Sequence, residues 1–303
     1  APGALSRPSA ELFSNVLDGR FVPEEEQMLE LIRNDVAAHK GDPLLLYRDL
    51  AYEATGLVYR GKENPVPANN AEEFSEISRM FKRLDPHRLT GVQIQDSFAA
   101  YKDSADIIEV AYSSSSYARH LMPNLIRDLD NTRACLGPGK PFVFWIGSST
   151  PNGRHRTAEE IRCASYLALI HNATGIVFHM GHEGIHPSRM RHWSVYSGLA
   201  RELEELVPIV TAPQASGNAG ITLQPAEVDY CVRENEGRPY LVAANTSGSL
   251  VNARISITDP VVAGKRRTVL FENREIYFTD NGFVDVFTPF ESHVYELQPG
   301  RGE

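Results

Sequence analysis

The sequence predicts an α/β fold in which a parallel sheet with covering helices is followed by a small antiparallel β-sandwich. Up to about residue 211, short apolar runs alternate with segments of helical period, which is the pattern of parallel βα units. Beyond a stretch at 213–220 that is rich in Ala, Ser, Gly and Pro, the apolar period changes to two. That period is typical of short antiparallel strands. We therefore predict two domains, residues 1–212 and residues 213–303.

The clearest βαβ unit lies between residues 140 and 180. Residues 141–147 form an apolar run rich in aromatic and β-branched side chains, which predicts a fully buried strand. Thr157, followed three residues later by Glu160, forms a capping box that marks the start of a helix. Gly175 then precedes a second apolar run. A strand, a crossover helix and a strand predict a right-handed unit with parallel strands.

The remaining elements follow from the same patterns. Before the sandwich, five parallel strands are predicted, at 44–47, 91–95, 106–112, 142–146 and 176–180. Helices are predicted at 23–40, 71–84, 117–136, 157–174 and 192–207. In the second domain, short strands are predicted at 240–245, 253–258, 268–272, 275–278 and 293–297.

Composition excludes several classes of protein. The 303 residues are 42% hydrophobic and 23% charged, as in ordinary globular proteins. The net charge of −9 argues against a nucleic-acid partner, and no apolar run reaches the ~18 residues of a membrane span. Cys135, Cys163 and Cys231 lack metal-ligand spacing and are expected to be buried small hydrophobes. No cofactor is predicted. Because the chain begins Ala-Pro-Gly without Met, we expect a processed, secreted or extracellular protein.

Several stretches, taken in order, resemble the later part of a clan-A-type glycoside hydrolase, in which a (β/α)8 barrel is followed by a small β-sandwich. The resemblance covers roughly residues 23–298. It implies a partial TIM-type barrel and a carbohydrate as substrate or ligand. Residues 140–145 are similar to the seventh barrel strand, and residues 156–176 to the seventh helix and the entry to the eighth strand. Residues 193–203 are similar to the last helix. The closing sandwich strands have counterparts at 270–274, 283–287 and 289–297.

The first departure from this family concerns the number of strands. A closed barrel needs eight strands, and five are predicted before the sandwich. The first three βα units belong to another chain or to a removed segment, or they are absent from an open half-barrel. An open parallel sheet has an exposed edge that must be covered. We therefore expect another copy of this chain, or a different chain, to contact the edge near residues 44–60, giving an oligomer or a self-assembled complex.

The second departure concerns the catalytic acids. Glycoside cleavage uses two carboxylates, one of them kept protonated. The family places one after the fourth strand, where Glu53, or Asp49 as the alternative, becomes the candidate acid/base. It commonly places the second after the seventh strand, where residues 145–150 contain no carboxylate. Glu109 on the sixth strand and Glu183 after the eighth remain as candidates, although strand alternation leaves the direction of Glu109 open.

Other polar and aromatic residues are candidate sugar contacts. Trp145 can stack on a sugar ring or pack in the core. His179 and His182, with Glu183 and His186, crowd the predicted carboxyl end of the eighth strand and can bind sugar hydroxyls. Their spacing fits no helical zinc motif, so a polar rim loop is favoured over a metal site.

Two hypotheses follow from these residues. The chain is a carbohydrate-active protein that cleaves or binds glycosides at the barrel rim, or it is a catalytically silent structural or assembly protein that retains the scaffold. The missing carboxylate after the seventh strand favours the silent protein, whereas Glu53 and the rim rich in His and aromatic residues favour activity.

Overall fold

The computed structural model describes residues 25–50, 57–58, 66–67, 71–94, 98–111, 122–147, 156–179, 190–215, 220–258, 266–279 and 281–297. Its first part contains, in order, α1 (Glu25–His39), β1 (Tyr47–Asp49), β2 (Leu57–Val58), β3 (Val66–Pro67), α2 (Ala71–Leu84), β4 (Leu89–Ile94), α3 (Phe98–Tyr101), β5 (Ile107–Ala111), α4 (Met122–Leu136), β6 (Phe142–Gly147), α5 (Ala158–Ile170), β7 (Gly175–His179) and α6 (Met190–Val210). This alternation of strands and helices is the predicted βα pattern.

The five strands β1, β4, β5, β6 and β7 form one sheet in that order. Parallel registers place Asp49 beside Gly91, and Gln93 beside Glu109. The short strands β2 and β3 pair with each other in a separate antiparallel ribbon. The predicted partial (β/α)8 barrel is therefore confirmed.

The second part of the chain forms two antiparallel sheets. Its strands are β8 (Ile221–Gln224), β9 (Val228–Asn235), β10 (Arg238–Asn245), β11 (Val251–Ile257), β12 (Arg266–Val269), β13 (Arg274–Tyr277), β14 (Gly282–Phe287) and β15 (Ser292–Glu296). One sheet has the order β13-β12-β15-β10-β9 and the other β14-β11-β8. The apolar core of this region is built from both sheets and includes Leu241, Phe283 and Tyr295. This confirms the predicted sandwich.

The chain forms two compact units, and each unit is built from two separate stretches of sequence. The first unit comprises Ala1–Ser113 with Asn131–Trp145, and the second comprises Ser114–Asp130 with Ile146–Glu303. Helix α5 belongs to the second unit, where it packs against β9, β10 and β15. The division into domains at residue 212 stays a prediction.

Helix α5 begins as the sequence predicts. The Thr157 hydroxyl accepts the Glu160 backbone N–H at 3.2 Å, and the Glu160 carboxylate accepts the Thr157 N–H at 2.8 Å. These two bonds form the predicted capping box and satisfy donors at the helix start. The helix is then held by Arg162, whose guanidinium binds Glu202 of α6 and the Ser292 backbone carbonyl.

The edge strand was predicted wrongly. Leu44 and Leu46 are 50% and 62% exposed, so the predicted buried strand at 44–47 is shifted. The strand is Tyr47–Asp49, and all three of its residues are buried. An apolar run alone does not distinguish a buried strand from the exposed approach to an edge strand. Residues 44–46 of the run therefore precede the strand, and Tyr47 is its first residue.

Three further expectations need correction. Strand β6 is not fully buried, because its residues alternate between buried and half-buried along its length. Cys163 and Cys231 are buried as expected, but Cys135 is exposed. Helix α6 also runs further than predicted and includes Pro208. No helix among the described residues is long and apolar enough to cross a membrane.

Candidate functional site

The parallel strands of the first unit have two different faces. Arg48 on β1 is fully buried and its guanidinium binds Asp35 of α1 and Asp85, which follows α2. Arg48 therefore points towards the helices. Because side chains alternate along a strand, Tyr47 and Asp49 point to the opposite side, which we call the inner face.

Strand β4 has the same arrangement. The Thr90 hydroxyl binds the Ser78 hydroxyl of α2 at 2.7 Å, so Thr90 points towards the helices. Its neighbour Gly91 and then Gln93 consequently belong to the inner face. Gln93 is fully buried there and lies in register with Glu109 on β5. The inner face therefore carries polar side chains at buried positions, which a purely structural core seldom contains.

Glu109 is the central residue of this face. It is 0% exposed, and its Oε2 accepts the Trp145 Nε1–H at 2.7 Å. The Tyr47 hydroxyl faces the same carboxyl group closely enough to influence its ionisation, although the pair misses the geometry of a regular hydrogen bond. Alternation thus places Glu109 inwards, which the sequence left open.

Gly91 makes this arrangement possible. A Cβ at position 91 would lie 2.8 Å from Glu109 Oε1 and 2.6 Å from Tyr47 Cε2, both closer than ordinary contact. The Tyr47 ring and the Glu109 carboxyl group therefore occupy the space above the Gly91 backbone. We call the following four residues, which come from the neighbouring strands β1, β4, β5 and β6, the Glu109 cluster: Tyr47, Gly91, Glu109 and Trp145.

The environment of the cluster changes the ionisation of two of its members. Burial raises the pKa of Glu109 to about 7, and the hydrogen bond from Trp145 and the Tyr47 hydroxyl partly oppose this shift. Burial also raises the pKa of Tyr47, and the nearby carboxylates of Glu109 and Asp49 raise it further. A carboxyl group that is still partly protonated at neutral pH can donate or accept a proton there, which is what a general acid/base requires.

The residues predicted from the sequence have different outcomes. Glu109 and Trp145 are brought together by the hydrogen bond described above, and Asp49 is buried on the same face as Glu109. His179 ends β7 and is exposed. Glu53, His182, Glu183 and His186 lie outside the described residues. Within the described ranges, no group of three or more His, Cys, Asp or Glu side chains is arranged to hold a metal ion.

Sequence reasoning missed two members of the cluster, Tyr47 and Gly91. Tyr47 was assigned to a buried strand without a role. A glycine inside a strand often marks a close approach by another group, so Gly91 carried a signal that could have been used. The identity of the approaching groups depends on the register between β1, β4 and β5, which the sequence does not specify.

Among the described residues of the second unit, His171 and His293 each lie in a cluster of charged side chains. His171, at the end of α5, binds Asp130 of α4 at 2.7 Å and Asp229 of β9 at 2.6 Å. Although burial lowers the pKa of His171, the two carboxylates raise it on balance. In the sandwich, the buried His293 ring binds Glu272, and the Glu272 carboxylate also binds Arg274 at 2.6 Å. These contacts join neighbouring elements and have a structural role.

Comparison with known proteins shows what the fold resembles. No protein-family model and no curated protein matches the sequence. An α-amylase from Geobacillus thermoleovorans complexed with acarbose is similar in structure, with a TM-score of 0.59, 10% identity and coverage of 89% of this chain and 63% of that chain. An Anoxybacillus α-amylase gives a TM-score of 0.61 and 9% identity, with 92% of this chain and 63% of that one covered.

A further similar structure is AmyP in complex with maltose, with a TM-score of 0.57, 7% identity and coverage of 91% of this chain and 69% of that chain. The chain has the fold of α-amylase-type glycoside hydrolases. It spans 63% of the length of the Geobacillus and Anoxybacillus α-amylases. The resemblance to a glycoside hydrolase with a partial barrel and a C-terminal sandwich is thereby confirmed at the level of the fold. Identities this low carry no assignment of activity.

Proposed function

We propose that this chain is a carbohydrate-active protein that cleaves or binds glycosides on the inner face of its partial barrel. One observation carries the proposal: the buried Glu109 on that face, with a pKa raised to about 7. Glycoside cleavage needs a carboxyl group that remains protonated near neutral pH, and burial is the usual means of providing one. The glycoside hydrolase scaffold, shared with enzymes complexed with acarbose and maltose, makes an oligosaccharide the favoured ligand.

In the cleavage reaction, the Glu109 carboxyl group gives its proton to the glycosidic oxygen as the bond from that oxygen to the anomeric carbon breaks. A water molecule supplies the hydroxyl group of the new reducing end, and its remaining proton restores Glu109. A second carboxylate must stabilise the positive charge at the anomeric carbon. Among the residues that the structure describes, Asp49 is the candidate for this second carboxylate, because it lies on the same inner face. Glu53, which lies outside those residues, is the other candidate.

The spacing of the strands is compatible with the pair Asp49 and Glu109. Their strands, β1 and β5, are separated by β4, which puts the two backbones roughly 10 Å apart. Glu109 Oε1 reaches back to the level of Gly91, and Gly91 is the register partner of Asp49. The Glu109 carboxyl group therefore extends towards β1, in the direction that shortens the distance between the two acids.

A second candidate function, a catalytically silent assembly protein, is favoured by two other observations. Glu109 is fully buried, so a substrate can reach it only after side chains have moved. Among the described residues, β1 pairs with β4 alone, and the exposed Leu44 and Leu46 lie beside this edge. In this role, another copy or another chain would pair with β1, because exposed strand edges bind further strands.

Hydrolysis and binding assays distinguish the two functions. Wild-type protein is tested against a panel of aryl glycosides and malto-oligosaccharides, with calorimetry to detect binding without turnover. Glu109→Gln, and separately Glu53→Gln, should abolish hydrolysis if the replaced acid donates the proton. Glu205→Gln, at an exposed position on α6, is the matched control and should retain wild-type activity. Wild-type protein that neither cleaves nor binds any member of the panel would refute the proposed function and favour the assembly protein.

A further inference from the structure

Two residues of the Glu109 cluster have no role in the reaction described above and make no regular hydrogen bond to Glu109. Tyr47 and Gly91 come from β1 and β4, and neither is a carboxylic acid that could replace Glu109. Their side chains, or the absence of one, nevertheless determine where the Glu109 carboxyl group can lie. A Cβ at Gly91 would come within 2.8 Å of Glu109 Oε1, so the observed position of the carboxyl group requires glycine there.

We propose that Gly91 and Tyr47 are positioning residues that set the acidity of Glu109. Gly91 leaves room for the Glu109 carboxyl group over the backbone of β4, away from water. The Tyr47 ring covers the same space from β1, and the Trp145 Nε1–H holds Oε2 from β6 at 2.7 Å. The carboxyl group is thus enclosed on three sides, and that enclosure is the physical origin of its desolvation.

The groups that surround the Glu109 carboxyl group support this assignment. Of the described residues, the groups facing the Glu109 carboxyl group are the Tyr47 hydroxyl on β1 and the Trp145 indole on β6, with the Gln93 amide beside it in register on β4. In the part of the chain that the structure describes, one further carboxylate, that of Asp49, acts on this cluster through the Tyr47 hydroxyl. No cation among these groups stabilises the ionised form, so burial dominates and the Glu109 pKa rises to about 7.

A substitution at Gly91 should act through this geometry. The methyl group of Gly91→Ala would lie 2.6 Å from Tyr47 Cε2 and 2.8 Å from Glu109 Oε1, so both the Tyr47 ring and the Glu109 carboxyl group must move. This movement opens the enclosure and exposes the carboxyl group to water. Its pKa should then fall from about 7 towards the ordinary value of 4.5. Tyr47→Phe keeps the ring but removes the hydroxyl group. In the wild-type protein this hydroxyl group stabilises the ionised form of Glu109 and so lowers its pKa. The Glu109 pKa should therefore rise in Tyr47→Phe.

The protein contains its own reporter of this ionisation. Trp145 and Trp193 are its two tryptophans, and a Trp193→Phe background leaves Trp145 alone, with its N–H bound to the titrating carboxyl group. Fluorescence of Trp145 is recorded from pH 4 to pH 9 on the full chain. The parent should show a transition with its midpoint near 7 that Glu109→Gln abolishes. Gly139→Ala, where the added methyl group meets nothing within 4 Å, is the matched control and should leave the midpoint unchanged.

The inference is supported if the midpoint falls in Gly91→Ala and rises in Tyr47→Phe. It is overturned if both folded variants titrate like the parent. If Gly91→Ala does not fold, as judged by circular dichroism, Tyr47→Phe decides, and an unchanged midpoint in that variant overturns the inference. The purpose of this tuning rests on the proposed function, but the titration needs no substrate. Failure of the glycoside assays with a shifted midpoint would therefore refute the proposed function alone.

Discussion

Replacing Glu109 by Gln should change how the stability of the first unit depends on pH. The folded protein raises the pKa of this group from 4.5 to about 7, so the folded state binds its proton more tightly than the unfolded state. The contribution of Glu109 to the free energy of unfolding should therefore be fully present below pH 4.5 and fall as pH rises from about 4.5 to about 7. A shift of about 2.5 pH units corresponds to about 3 kcal/mol.

Glu109→Gln removes this dependence because an amide does not titrate and resembles the protonated carboxyl group in shape. Relative to wild type, the variant should gain about 2.5 kcal/mol between pH 5 and pH 8, because a small part of the full effect is already present at pH 5. Urea unfolding is followed by Trp145 fluorescence in the Trp193→Phe background, so that the signal comes from the first unit. Comparing the two proteins at each pH cancels the contributions of all other titrating groups.

The control for this experiment is Glu205→Gln, which removes an exposed carboxylate on α6. It controls for the loss of one carboxylate and of one unit of net charge. If Glu109→Gln shows an equal difference from wild type at both pH values, the Glu109 pKa is ordinary in the folded protein. The reasoning that begins from its burial would then be wrong.

Three further predictions concern stability and assembly. Asp229 and Asp130 raise the pKa of His171 on balance, so the stability that His171 contributes should be fully present below pH 6.5 and lost as pH rises through the raised pKa. In urea unfolding, His171→Gln should therefore be more destabilising at pH 5.5 than at pH 8.5. An equal loss of stability at both pH values would contradict this. Gly282→Ala should destabilise the sandwich by at least ~1–3 kcal/mol, because φ is +124° and a Cβ would collide with the Ile255 carbonyl oxygen; a melting temperature equal to wild type would refute it. Light scattering at low concentration should show association through the β1 edge, and a stable 33.7 kDa monomer would show that the chain covers this edge itself.

Much of the fold could be predicted because it depends on local patterns. The capping box of Thr157 and Glu160 begins α5 as predicted, since it requires only a short-range match of side chain and backbone. The change of apolar period near residue 213 likewise predicts the passage from parallel units to antiparallel strands. Errors occurred where the environment decides, as at Leu46, whose exposure depends on its place beside a sheet edge.

The candidate site was harder to predict because it depends on register. Glu109 and Trp145 were both considered from the sequence, but their hydrogen bond requires β5 and β6 to align Ala111 with Trp145. Tyr47 joins them through a further pair of strands, across the glycine at position 91. The pairing of these strands has no local signal in the sequence. The family resemblance did not specify which way the Glu109 side chain points from its strand.

A crystal structure of the protein with acarbose, grown near pH 6, tests the central claim most directly. At that pH Glu109 is mainly protonated, because its pKa is about 7. We expect the sugar rings to lie on the inner face, with a glycosidic oxygen or its nitrogen analogue within hydrogen-bond distance of Glu109 and with Trp145 in contact. Acarbose bound only elsewhere, or a Glu109 cluster that remains closed and unoccupied at saturating acarbose, would contradict the account.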